Sequence, residues 1–397
     1  MLEVLHGILA GIMVMVTIAW LVLLRGIIRT FRLTPHIRMY SQSSQVRPKV
    51  SVILPARNEE KYIGRCLDSL VKQDYDEYEV IAVNDSSDDS TESIISDYAN
   101  KHTKIRLVNA RPKPEGWMGK NWACMEGYDN ATGQILLFTD SDTVFSPNMI
   151  SVAIDHLNAE SLDALTAIPL IRTNEFWTRI TLPMISTFLH TRFSALNVND
   201  PNKKTGYFFG SFFVMPKDVY ESVGTHKGVR QEIIEDGSLG RKVKDMGYNL
   251  KMVLADDMFE AIWARDGSTL WHALKRLMIP LYLQCSKTAV GIFVAVLSLL
   301  FLPFPTLLYS VTLDSNILSE VLWWSSLAAS FMILCGAIIE SRVLKINLYN
   351  ALACPLGGAV IVAGFFAGIL SVGKQNSVSW RGREYTLRHT SQNPMDV

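Results

Sequence analysis

The chain has 397 residues, with 38 Lys and Arg against 38 Asp and Glu and a formal charge of zero. This excludes a global electrostatic attraction to nucleic acid, so any phosphate binding has to be local. At 49% hydrophobic and 19% charged, and with the excess concentrated in runs, the composition is too apolar for a wholly soluble protein and too long for one domain of about 100–200 residues.

The first run, residues 4–24, carries no formal charge and is long enough, at about 1.5 Å per residue, to cross a hydrocarbon layer about 30 Å thick. Arg25, Arg29, Arg32 and Arg38 follow it without a small-residue cleavage site. We therefore read residues 1–30 as an uncleaved anchor, with the following segment cytoplasmic by the positive-inside bias.

From residue 48 to about 260 short β-rich runs alternate with helical stretches, the signature of an α/β domain with a mostly parallel sheet. Strands are expected at 50–54, 78–84, 105–108 and 135–139, with helices at 60–72, 91–101 and 120–131. Ligands in such sheets sit at the carboxyl ends of the strands, and here those ends are polar. Pro55-Ala-Arg-Asn-Glu59 opens a helix whose N–H groups suit an anion or a nucleotide, or serves only as its cap. Asn84-Asp-Ser-Ser-Asp-Asp89-Ser-Thr91 holds more carboxylates than capping requires, so a role in holding a base or ribose is expected. Gly116-Trp-Met-Gly-Lys120 puts a lysine at a helix start, where it can neutralise phosphate; its spacing is not that of a P-loop, which disfavours an ATPase. Phe138-Thr-Asp140-Ser-Asp142 sets two carboxylates one residue apart at a strand end, as Mg²⁺ or Mn²⁺ prefers when it shares oxygens with a diphosphate. Glu235-Asp236 precedes a helical stretch through Met246; it is an N-cap or, together with the other acids, a general base.

Residues 265–287 interleave charged and apolar residues as an interfacial amphipathic helix would, although a packed soluble helix reads the same way. Within 288–373 three more uncharged runs follow, at 288–313, 321–339 and 346–373. If all three crossed, the basic tail at 374–397 would end on the side opposite the catalytic part. Pro303 and Pro305, or Pro355-Leu-Gly-Gly, could break a run into a re-entrant hairpin, and the sequence does not choose between them. Cysteines 66, 124, 285, 335 and 354 stand singly, without a C-x-x-C pair, so neither zinc nor a disulfide framework is indicated.

With these motifs in order, the chain resembles a family 2 glycosyltransferase of GT-A fold, in particular the membrane-anchored enzymes of hopanoid, carotenoid and ceramide glycosylation. The matching pieces are V-S-V-I-L-P-A-R-N-E-E from Val50, the acidic stretch Asn84–Thr91, G-W-x-G-K-N-W-A from Gly116, F-T-D-S-D-T from Phe138, Gly224-Thr-His226, Glu235-Asp236 and W-R-G-R-x-Y from Trp380. The resemblance implies that Pro55, Arg57, Glu59, Asp85 and Asp89 line a nucleotide pocket. It places Lys120 and Asp140 at the donor diphosphate, Asp140, Asp142 and His226 at a Mg²⁺ or Mn²⁺ ion, and Asp236 with Glu235 as the base. Trp380, Arg381 and Arg383 form a basic-aromatic tail element, assigned to the acceptor side. Asn84 and Thr225 depart from the pattern, standing where an aspartate and a glycine are common. No Arg-Trp dipeptide occurs, so the Q-x-x-R-W motif of processive synthases is missing.

The expected activity is inverting transfer from a nucleotide-diphospho-sugar to a membrane lipid (isoprenoid, polyprenyl phosphate or sphingolipid-like) at the cytoplasmic face of the cell membrane. Residues 169–199, rich in Phe, Trp, Ile and Met, read equally as an acceptor-binding surface helix or as core. The competing classes are a processive polysaccharide synthase and a non-catalytic membrane binding protein.

Overall fold

The computed structural model describes residues 2–38, 47–372, 377–380 and 383–386. Helix α1 (Leu2–Leu33) leads into an alternating stretch: β1 (Val50–Ala56), α2 (Ile63–Val71), β2 (Tyr78–Asn84), α3 (Thr91–Lys101), β3 (Ile105–Asn109), α4 (Gly119–Asp129) and β4 (Ile135–Phe138). The chain continues through β5 (Val144–Phe145), α5 (Met149–Ala159), β6 (Ala164–Ile168), β7 (Leu170–Arg172), α6 (Phe176–Arg192) and α7 (Ala195–Val198). Then come β8 (Phe213–Pro216), α8 (Lys217–Ser222), α9 (Glu235–Asp245), β9 (Leu250–Leu254) and β10 (Phe259–Ile262). The last part is helical, with α10 (Gly267–Gln284), α11 (Ser286–Leu300), α12 (Pro303–Ser310), α13 (Ile317–Val343) and α14 (Cys354–Val372), and closes on β11 (Ser377–Trp380) and β12 (Arg383–Thr386).

Seven strands form one sheet in the order β3-β2-β1-β4-β8-β6-β9, with β8 the antiparallel member. The expected parallel core, β1 to β4, is present, and its strands read as nearly unbroken apolar runs because helices cover both faces. The period-2 alternation of β1 sends Val52 and Leu54 into one core layer with Ile63, Leu67 and Ile150, and Ile53 into the other with Phe138, Leu239 and Val243. Strand order reverses between β1 and β4, so a crevice opens at their carboxyl ends. The small sheet β5-β10-β7 flanks that end. The helix expected from residue 60 starts at Ile63, because the 57–62 segment is tied instead to the loop after β2.

Among the described residues three helices are long and apolar enough to cross a membrane: Glu3–Leu33, Ile317–Val343 and Leu348–Ser371; the pair Ser286–Leu300 and Pro303–Ser310, bent by 51°, would make a fourth. The break therefore falls at Pro303 and Pro305, which sit in the first turn of α12 where a missing N–H costs nothing. Pro355 lies in the first turn of α14 and breaks nothing. Helix α6 resolves as core along much of its length: Leu182, Met184 and Ile185 share a cluster with Trp20, Leu274, Ile333 and Ile361, while Phe176 and Trp177 stay exposed.

Asn84 explains its own departure from aspartate. Its amide Nδ2 donates to Glu92 Oε2 (3.1 Å) and Asn109 Oδ1 (2.9 Å), and its Oδ1 accepts from the Ser87 N–H (3.1 Å). A carboxylate could not donate and would face Glu92. Asn84→Asp should lower stability by about 1–3 kcal/mol at neutral pH, read as a lower midpoint of thermal unfolding in detergent, with the deficit shrinking on acidification. An unchanged midpoint would show that the amide donors are dispensable.

Candidate active site

At the end of β1, Arg57 reaches across to the loop after β2, donating to the Asp85 carbonyl (2.6 Å) and to that of Ser86. Asn58 and Ser86 both adopt positive φ, 54° and 52°, and lock the two loops together. Asn58 N donates to Ser87 Oγ (3.1 Å), and Asp88 N donates to Asn58 Oδ1 (2.9 Å). Pro55 is buried within β1, in register with Val83. Asp85 is buried, and its carboxylate takes Arg383 of β12 at 2.5 Å. Burial raises the Asp85 pKa, with Arg383, Arg57 and Lys113 opposing it. Arg57, Asp85, Lys113 and Arg383 thus form one polar corner at the carboxyl end of the sheet.

Two of the expected nucleotide residues are occupied differently. Asp89 accepts from the Thr91 N–H (3.0 Å), the Thr91 hydroxyl (2.5 Å) and the Glu60 N–H (3.1 Å), so it caps α3 and joins the loops. Glu59 is buried and ion-paired to Arg265, which also pairs with Asp142.

The centre of the crevice is a cluster of acids around Lys120. The first turn of α4 aims this lysine at Asp140 Oδ1 (2.8 Å) and Glu235 Oε1 (2.7 Å). Asn121 secures that aim by donating from its buried amide to the carbonyls of Val229 (2.7 Å) and Glu232 (3.0 Å), just before α9. Burial alone would lower the Lys120 ammonium pKa; Asp140, Glu235 and Asp236 outweigh it and hold the group well above its usual range. Asp236 takes the Gly237 N–H on Oδ1 (2.8 Å). A Cβ built on Gly210 would lie 2.7 Å from Asp236 Oδ2, 3.0 Å from Lys120 Nζ and 3.5 Å from Asp140 Oδ2. The three groups therefore converge on one point that only a glycine leaves open. Burial and the neighbouring Glu235 push the Asp236 carboxyl up to about 7, against Lys120.

Asp142, two residues beyond Asp140, is raised to about 6 by burial and by Asp140, with Arg265 opposing. The Arg265 guanidinium lies 3.0 Å from Asp142 Oδ2 and 4.2 Å above the centre of the Tyr62 ring. Arg276, half-buried on α10, interacts electrostatically with Glu235, Asp236 and Asp140. Beside Asp142 a cavity of about 310 Å³ is lined by Tyr62, Arg65, Arg172, Asn174 and Glu260 among others.

His226 does not join the carboxylates. Its ring is buried against Phe138 and bonded through Nδ1 to the Tyr220 hydroxyl (2.7 Å), and burial and Lys120 lower its pKa to about 3. It is a neutral core histidine. Among the described residues no three His, Cys, Asp or Glu side chains are grouped to hold a metal ion. Thr225 adopts φ 55° after Gly224 at 91°, a backbone that glycine adopts freely, and its Oγ1 accepts from the Lys227 N–H (3.1 Å). Trp380 lies in β11, and Arg381 falls outside the described residues. Arg383 of β12 is drawn into the polar corner at Asp85.

Sequence reasoning missed Gly210, Arg265 and Arg276. The signal for Gly210 was Phe209-Gly-Ser-Phe212, a lone glycine among large residues just before a strand. The arginines carried no local signal, because they enter the crevice from α10 and the segment before it.

Residues 51–224 match the family described as Glycosyl transferase family 2. The chain is 25% identical over 232 residues to 4,4'-diaponeurosporenoate glycosyltransferase of Staphylococcus aureus, a match over 56% of this chain and 60% of the relative, so it spans less than two thirds of that protein's length. Among solved structures, a mannosyltransferase from Pyrobaculum calidifontis in complex with GDP-Man and Mn²⁺ superposes with a TM-score of 0.55 at 18% identity, covering 91% of this chain and 99% of that one. At that identity the likeness is one of fold. Residues 51–224 thus carry a domain that matches the family 2 glycosyltransferase model, on a sheet with the fold of the solved mannosyltransferase and with apolar helices on either side.

Proposed function

We propose that this chain moves a sugar, with inversion, from a nucleoside-diphosphate donor to a lipid acceptor at the cytoplasmic face of the cell membrane. The observation that carries the reading is the convergence of Asp236, Lys120 and Asp140 on the space beside Gly210. A base poised near neutrality, a fixed cation and an acidic strand end are the parts that proton removal and diphosphate departure need.

Asp236 accepts the acceptor hydroxyl proton; its raised pKa matches that task. Lys120 and Arg276 offset the charge that develops on the departing diphosphate. Arg57 and Asp85 hold the nucleoside, with Arg383 closing that corner. A divalent cation fits a pair of carboxylates, Asp140 and Asp142, that leaves its other positions to phosphate oxygens, and the charge around the pair favours one. Glu59, Asp140, Asp142, Glu235 and Asp236 are five carboxyls facing three fixed cations, Lys120, Arg265 and Arg276, and two of the five are pushed toward neutrality. Asp140 and Asp142 would hold Mg²⁺ or Mn²⁺, which supplies Lewis-acid stabilisation of the leaving diphosphate. His226, buried with Tyr220, would not take part.

A lipid acceptor is supported by the apolar helices on both flanks and by the relative named for a carotenoid acid. The exposed Phe176 and Trp177 at the start of α6 add aromatic surface of the kind found at bilayer interfaces.

Nucleotide release from a panel of nucleotide sugars, with and without Mn²⁺ and a lipid extract, should be metal-dependent and yield a short glycolipid; a long polymer would instead indicate a processive synthase. Asp236→Asn should reduce transfer at least about 10³-fold while donor affinity changes little, and equal loss of both would make the residue structural. Gly210→Ala should keep the fold, because flexible side-chain ends can yield, yet cost about 10²-fold in kcat/KM by displacing the base and the lysine. Near-normal turnover would remove Gly210 from the site.

Because the base acts deprotonated, kcat/KM should rise with pH through about 7. Glu235→Gln removes a charge that raises Asp236, so the acid limb should move down by about one unit. An unmoved limb would assign it to another group.

A further inference from the structure

Which apolar runs cross a bilayer is decided by what their ends hold. The chain leaving α1 is stitched to β9, with Leu254 N donating to the Pro35 carbonyl and Ile37 N to the Leu254 carbonyl, both at 2.8 Å. The chain leaving α13 arrives at the same place, where Lys345 Nζ lies 2.9 Å from Asp256 Oδ2. The two helices run side by side in the same direction. Thr17 donates to the Ser325 carbonyl (3.0 Å), a Cβ on Gly336 would lie 2.6 Å from the Trp20 ring, and the His190 segment joins Thr30 of α1 to Glu340 of α13. Near the start of α1, His6 Nε2 meets the Tyr309 hydroxyl at 2.9 Å. The α12–α13 connection is therefore at the end of α1 remote from the catalytic unit.

The chain must then travel from α10, tied to the crevice through Arg276 and through Arg265 just before it, to that remote end, and only the bent pair α11 and α12 lies between. After α13 brings it back, α14 both starts and finishes beside the catalytic unit. It follows Lys345 on Asp256 and precedes Arg383 on Asp85. A single 19-residue helix cannot cross a bilayer and leave both its ends on one side.

Packing agrees with this. One face of α14 is glycine-rich and lies against α6, α10 and the end of α11: a Cβ on Gly357 would fall 2.2 Å from the Ile180 carbonyl oxygen, on Gly358 2.4 Å from the Leu300 carbonyl oxygen, on Gly364 2.7 Å from Leu274, and on Gly368 2.8 Å from the Lys275 carbonyl oxygen. The opposite face exposes Leu356, Phe366 and Leu370, continuing Leu352 of the preceding turn. An interfacial helix ordinarily turns a charged face to water; here α6 and α10 take the place of that face.

We propose that α14, although long and apolar enough to span, lies along the cytoplasmic leaflet with its Leu-Phe stripe in the acyl region. The chain then crosses three times, through α1, the α11–α12 pair and α13. The inference rests on the membrane reading above and changes its count. It places Arg383 on the same side as Arg25, Arg29, Arg32 and Arg38, removing the conflict that four crossings would create.

The test uses the full-length protein carrying Cys285→Ser and Cys335→Ser, with one further substitution at a time: Asp97→Cys in α3, Thr312→Cys between α12 and α13, or Ser377→Cys in β11. Right-side-out and inverted vesicles are treated with a membrane-impermeant maleimide. Ser377→Cys should label in the same vesicles as Asp97→Cys, and Thr312→Cys in the opposite ones, whichever face each proves to be. Labelling of Ser377→Cys together with Thr312→Cys would overturn the inference while leaving the membrane reading intact. Release of the protein by alkaline carbonate would overturn the membrane reading and this inference with it.

Discussion

The site is organised around an excess of buried negative charge gathered on one lysine. Lys120 bridges Asp140 at the end of β4 and Glu235 at the start of α9, and so ties the parallel half of the sheet to the segment that carries Asp236. Removing these ions from water is costly unless each is paired or neutralised. The structure meets that cost with Arg265 and Arg276 from outside the sheet, and with carboxyl groups on Asp142 and Asp236 whose pKa values lie well above the usual range. The acids that remain outnumber the three cations, and this excess of negative charge is what distinguishes the crevice from the rest of the sheet's carboxyl end.

The sequence made the donor half of the fold legible for a physical reason. Strands β1 to β4 are buried on both faces, so they read as short apolar runs, and their polar ends stand out against them. Strands β6, β8 and β9 were not anticipated; they lie in the half where strand direction mixes and where the apolar residues of α6 and β8 blur any single period. Gly210 acts through the space it leaves, and Arg265 and Arg276 act from more than a hundred residues beyond Asp140, so no local pattern could announce them. His226 shows the opposite failure. The family resemblance implied a place at the metal ion, but Tyr220 and Phe138 give it a partner and a packing role in the core.

Hydropathy alone was equally incomplete at the carboxyl end of the chain. It finds four runs of sufficient length, yet their relation to a bilayer depends on two ion pairs, Lys345 with Asp256 and Arg383 with Asp85, between residues far apart in sequence. The second of these pairs also joins the strand that follows α14 to the polar corner of Arg57 and Lys113 at the end of the sheet.

The central claim is that Asp140 and Asp142 mark the place where a donor diphosphate and its cation are held beside Lys120. Anomalous scattering from crystals grown with Mn²⁺ and a nucleoside diphosphate tests it most directly. The account predicts one manganese peak between the two aspartates and the diphosphate, with Lys120 turned toward the phosphate oxygens. A nucleotide bound elsewhere, or manganese held by other residues, would contradict it.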